Sequence, residues 1–128
     1  MGLDSCKVEA TIAVSDMEKA KEFYEGKLGF SGGTEEPDGG LTYQCGGGTA
    51  IHVYPSPDNA GKSGATLAGF LTDDLESTVD DLASKGVAFE QIEMGPIKTN
   101  EKGIAQFGDE RVAWFKDPDG NTMGIASG

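Results

Sequence analysis

The sequence predicts an α+β fold made of two βαβββ units. Three observations predict it. An alternating strand near the start runs directly into a capped helix. A glycine-punctuated stretch with three β-type pieces follows. The same order then restarts 58 residues further on, which marks an internal repeat.

In residues 8–14, Val8, Ala10, Ile12 and Val14 fall on one face and Glu9, Thr11 and Ala13 on the other. That is a strand with one face on a core. Ser15-Asp16-Met17-Glu18 reads as a capping box, with Ser15 at the N-cap and Glu18 at the third helical position. Met17, Ala20, Tyr24 and Leu28 follow at helical spacing, and Gly29 suits the stop. β-type pieces are expected at 30–34, 41–45 and 49–55, with turns at Pro37-Asp38-Gly39-Gly40 and Gly46-Gly47-Gly48 between them.

The second copy repeats this order. A strand is expected at 65–72. Asp73 then caps a helix with Leu75, Val79, Leu82 and Ala83 on its apolar face and Gly86 at its end. A strand at 87–92, a long loop at 93–108 and a hairpin of 109–116 with 121–126 complete it. Asp117-Pro118-Asp119-Gly120 forms the turn of that hairpin. Its likeness to a calcium loop fails, because the glycine stands fourth and no glutamate closes the loop. The expected boundaries are 7–56 for the first module, 57–64 for a linker and 65–127 for the second. Each sheet would cover its helix on one face and leave the other for a cleft.

The chain of 128 residues is one domain's worth. Its 22 acidic and 10 basic residues give a net charge of -12, -5 in the first half and -7 in the second. So acidic a surface excludes nucleic-acid binding. It serves solubility and favours cationic ligands. No apolar run is long enough for a membrane span and the start lacks a signal-peptide pattern, so the expected place is the cytoplasm. Cys6 and Cys45 stand at no metal spacing and are read as thiols. Nucleophile-elbow, P-loop and dinucleotide fingerprints are missing.

Three stretches in register carry a family resemblance. They are Ala13–Ala20 with Phe23-Tyr24 and Leu28-Gly29-Phe30, then Thr72–Leu75 with Lys85-Gly86-Val87, and finally Phe115–Asn121. On these the chain resembles the vicinal oxygen chelate superfamily, which includes glyoxalase I, bleomycin-resistance proteins and extradiol dioxygenases. The resemblance spans nearly the whole chain as a single domain, 1–128. It implies two βαβββ modules forming a half-open barrel, and commonly a homodimer. It also implies four metal-ligand places, which fall here on Glu9, His52, Leu67 and Gly124. Leu67 and Gly124 have no ligating side chain, and two ligands rarely hold a catalytic metal. No metal or other cofactor is therefore expected.

The remaining candidates are ligand-binding residues. His52, the only histidine, is expected on the cleft face as a general base, a hydrogen-bonding group or a polar residue without a role. Glu9 and Thr11 share that face. Glu9 could meet a ligand amine, act as a base, or simply be a solvated wall. Tyr43, Tyr54, Phe107 and Trp114 are candidates for stacking on a flat ligand or for core packing, and the face of Trp114 stays open. The loop 93–108 is either a lid or a plain loop. The expected function is metal-free binding of a small organic molecule, aromatic or cationic, such as antibiotic sequestration. The alternative is a metalloenzyme of the same superfamily, a glyoxalase-like lyase or isomerase or a dioxygenase.

Overall fold

The computed structural model describes residues 2–127. The chain divides into two compact units, with the boundary between Gly61 and Lys62.

In the first unit, β1 (Glu9–Val14) leads into α1 (Met17–Lys21), which continues as a π-helix, Glu22–Lys27. Then come β2 (Thr34–Glu35), β3 (Leu41–Gln44) and β4 (Ala50–Pro55). The sheet order is β1-β4-β3-β2. β1 runs parallel to β4, and the other pairs are antiparallel. A parallel pair needs a crossover, and the helix supplies it.

The helix cap lies one residue beyond the expected Ser15. Asp16 is the N-cap, and its carboxylate accepts from the backbone N–H groups of Glu18 and Lys19 at 2.9 and 3.3 Å. The π-helical turn widens the spacing, so the neighbours Phe23 and Tyr24 both reach the core. Their rings meet edge to face at 5.4 Å. Gly29 stops the helix at φ +79°, a backbone region that glycine enters without strain. The expected piece at 30–34 forms a ladder only at Thr34–Glu35. Ile12, Val14, Tyr24, Ile51 and Val53 are almost fully buried. Each of the four aliphatic ones stabilises the fold by about 1.5–3 kcal/mol. Val8, expected on this face, is exposed and precedes the strand.

The second unit repeats the topology. Its main elements are β5 (Thr66–Leu71), α2 (Leu75–Ser84), β8 (Ile104–Phe107), β9 (Glu110–Lys116) and β10 (Thr122–Ser127), in sheet order β5-β10-β9-β8. The cap is Asp74, not Asp73, and its side chain accepts from Ser77 N–H at 3.1 Å. Leu75, Val79 and Leu82 are buried, whereas Ala83 is exposed.

Two expectations fail here. Residues 87–92 form no strand; the segment touches the sheet through one bridge, Phe89 to Phe115, and through Glu90 N–H donating to Trp114 C=O. The expected loop 93–108 holds a small hairpin, β6 (Glu93–Met94) with β7 (Ile97–Lys98), and then β8, the edge strand of the sheet. The Asp117–Gly120 turn is as expected. Asp117 is buried and accepts from the backbone N–H groups of Asp119 and Asn121 and from the Asn121 amide, each at 2.9 Å.

Candidate functional site

In the first unit the face turned away from the helix is set by register. Thr11 pairs with His52, and His52 with Thr42, in one rung across β1, β4 and β3. Ile51 and Val53, on either side of His52, are buried on the helix side. His52 therefore stands on the opposite face, with 15% of its side chain exposed.

Both nitrogens of His52 are engaged. Nδ1 lies 3.1 Å from Thr42 Oγ1, and Nε2 lies 2.7 Å from Asp38 Oδ2. The Thr42 hydroxyl donates to Glu36 Oε2 at 2.7 Å. Asp38 is fixed in turn by Gly40 N–H, which donates to its Oδ1 at 2.8 Å. The His52 hydrogen bond, and then that of Gly40, hold the Asp38 carboxyl below its usual range. The imidazole stacks on Tyr54, with ring centroids 5.7 Å apart and planes 4° apart. So fixed, His52 has no free nitrogen with which to take a proton from a ligand.

Glu9 and Thr11 are exposed on β1. Tyr43 does not join them. It pairs with Ile51, so the pleat turns it to the helix side, where it is 1% exposed. Its ring packs against Tyr24 and Phe30, and its hydroxyl donates to Glu25 Oε2 at 2.9 Å. Burial, with help from Glu25, pushes its pKa up. Tyr43 is a core residue and leaves the ligand-binding set.

In the second unit the matching rung is Gly69, Gly124 and Trp114. Gly124 stands where His52 stands in the first unit, and Trp114 where Thr42 stands. This settles the face of Trp114, which is half-buried on the side away from α2, because Phe115 and Ala113 are the buried neighbours. Phe107 meets its ring edge to face at 6.4 Å. A Cβ placed on Gly124 would lie 3.4 Å from Trp114 Cδ1 and 3.5 Å from its Nε1. The indole thus covers the glycine.

The Glyoxalase/Bleomycin resistance protein/Dioxygenase superfamily model matches residues 4–125. The chain belongs to this superfamily. Among solved structures it is similar to TnmS3, an antibiotic binding protein from Streptomyces sp. CB03234, at 28% identity and TM-score 0.71, over 94% of this chain and 93% of that one. It is similar also to a glyoxalase/bleomycin resistance protein from the same organism, at 31% identity and TM-score 0.66, over 93% and 97% of the two chains. A superfamily member from Sphaerobacter thermophilus DSM 20745 aligns at 27% identity and TM-score 0.66, over 95% and 96%. Among curated proteins, none matches.

The metal places of the superfamily can now be tested against the residues present. Leu67 and Gly124 offer no donor atom. His52 has both nitrogens committed. The space above Gly124 belongs to the Trp114 ring. The residues do not fit a metal centre of the superfamily type. Among the described residues, no group of three or more His, Cys, Asp or Glu side chains could hold a metal elsewhere.

Sequence reasoning missed Asp38, Thr42 and Glu36. Asp38 was legible only as a turn former in Pro37-Asp38-Gly39-Gly40, since it lies 14 residues from His52. Cys6 and Cys45 are free thiols, and burial pushes the Cys45 thiol up. No helix among the described residues is long and apolar enough to cross a membrane.

Proposed function

We propose that this protein binds a small organic ligand without a metal and acts by sequestration, with an antibiotic or related natural product as the ligand. The observation that carries the reading is the Trp114–Gly124 pair. At a place where a metalloenzyme of the superfamily would hold a ligand side chain, this chain has bare backbone under an indole. Metal chemistry loses its donor there, while flat apolar surface is gained. The likeness to an antibiotic binding protein over nearly the full chain supports the same class.

The proposal assigns stacking to Phe107 and Trp114 in the second unit. In the first unit it assigns polar contacts to Glu9, Thr11 and Tyr54, and contact through the carbon face or edge of its ring to His52, which Asp38 and Thr42 hold in place. The net charge of -12 favours a cationic ligand and makes its association fall with added salt. The superfamily resemblance adds a homodimer to the expectation.

The test is a panel of cationic and aromatic antibiotics at low ionic strength, read by Trp114 fluorescence and melting temperature. A true ligand at a hundredfold excess over its Kd stabilises by about 2.7 kcal/mol. The expected result is quenching together with a raised melting temperature for at least one aromatic compound, lost in Trp114→Ala. No change across the panel refutes the reading.

A further inference from the structure

A groove of about 360 Å³ opens in the second unit, lined by Lys98, Thr99, Asn100, Ile104, Gln106 and Arg111. It is separate from the Trp114 face. Gln106 and Arg111 form a cross-strand pair on the α2 side of the sheet, where Arg111 reaches Glu76 of α2.

Its lining is basic in an acidic chain, with Glu76 of α2 paired to Arg111 and Glu93 opposite Lys98 in the β6–β7 hairpin just outside it. The sequence carries 22 acidic and 10 basic residues, yet two basic residues line this groove and no acidic one does. Arg111 is the single arginine of the chain. It gives Nη2 to Glu76 Oε1 at 3.0 Å, and the rest of its planar fork of donors stays unspent. Lys98 makes no ion pair among the described residues. The Asn100 side-chain Oδ1 accepts from the backbone N–H groups of Lys102 and Ile104 at 2.9 and 3.0 Å. The side-chain amide nitrogen, Nδ2, is left as a further donor. Gln106 uses its own amide nitrogen on Gly108 C=O at 3.0 Å.

The walls are also fixed. Ile104 and Thr99 are buried. The Thr99 hydroxyl accepts from Ile92 N–H at 2.9 Å, and Thr99 N–H donates to Ile92 C=O, also at 2.9 Å, tying the Lys98–Asn100 backbone to the preceding segment. Donors gathered over a tied backbone, with no carboxylate on the groove's lining, suit a small oxyanion.

We infer that this groove binds a small oxyanion, a carboxylate or a phosphate, between Lys98, Asn100 and Arg111. The guanidinium fork matches the two oxygens of either group, and the lysine adds a point charge. The inference is independent of the ligand proposed for the Trp114 face. The overall negative charge keeps affinity modest and disfavours highly charged anions.

The test is two-dimensional amide NMR on the full chain, titrated separately with benzoate and with inorganic phosphate. Sodium chloride at matched ionic strength is the reference. The expected result is a saturable shift of the Asn100 side-chain amide and of residues 98–111 with at least one of the two anions. Which anion saturates identifies carboxylate or phosphate as the preferred class. Lys98→Gln, an exposed change that leaves the fold intact, and Arg111→Gln should each weaken binding about tenfold or more. Lys19→Gln in the first unit removes the same charge and should leave binding unchanged. Shifts no larger than those with sodium chloride overturn the inference, as does equal weakening by Lys19→Gln.

Discussion

Gly124 offers a graded test of whether the indole of Trp114 fills the space above the strand. A single added methyl would meet Trp114 Cδ1 at 3.4 Å, Trp114 Nε1 at 3.5 Å and Thr66 Cγ2 at 3.5 Å. Those are ordinary contact distances, and the backbone of Gly124 lies in a regular strand. Gly124→Ala should therefore fit without strain. By restricting the unfolded chain it should stabilise the fold by about 0.4–1 kcal/mol. Gly124→His is a different case, because its ring must enter the volume that the indole occupies. Overpacking of this kind costs about 1–3 kcal/mol, and the half-exposed position lets Trp114 swing aside, which favours the lower end. The assay is urea unfolding followed by the emission of Trp114, the only tryptophan. The alanine variant should keep the native emission maximum and unfold at higher urea. The histidine variant should unfold earlier, with a red-shifted native spectrum as the indole moves into water. A histidine variant with native emission and undiminished stability would refute the packing argument. So would one that takes up a metal with no other change.

Three further predictions concern the polar framework. The pKa of Asp38 is depressed in the folded state, so its contribution is present above the unfolded carboxyl value and is lost as pH falls through the folded one. Asp38→Asn should flatten the acid limb of the stability profile below about pH 4; an unchanged limb would show that the His52 bond contributes nothing. Tyr43 is raised, so the folded state resists ionisation and stability declines as pH climbs above about 10. In Tyr43→Phe that alkaline decline should shrink, as measured by denaturant midpoints across pH. Asp74→Ala removes the cap of α2 and should cost about 1 kcal/mol, while Asp73→Ala should be nearly neutral. Equal losses from the two would contradict the cap assignment.

Much of the fold was legible because the repeat states it twice. The caps Asp16 and Asp74 are 58 residues apart, and both stand one residue beyond their expected places, so the error was shared and the alignment survived it. What could not be read has local causes. The edge strand Ile104–Phe107 has only four residues between two glycines and looks like loop. Val87–Ile92 has a plausible alternation but makes only isolated sheet contacts, a tertiary outcome that periodicity does not encode.

The site was half legible. Alternation placed His52 correctly opposite Ile51 and Val53, because a strand has only two faces. For Tyr43 the sequence leaves ligand stacking and core packing both open, because an aromatic in a short strand carries no sign of its face; the rung with Ile51 puts it in the core. The same holds for Trp114, which the rung with Gly124 places. Asp38 reaches His52 across a turn, and no spacing rule connects a turn aspartate to a histidine two strands away.

Whether the protein works without a metal is decided by elemental analysis of tag-free protein. The protein would be measured as purified and after dialysis against nickel, zinc, manganese and ferrous iron. The expected result is no retained metal above background and no metal-induced rise in melting temperature. Stoichiometric retention of any one of these metals, with matching stabilisation, would contradict it and return the protein to the metalloenzymes of its superfamily.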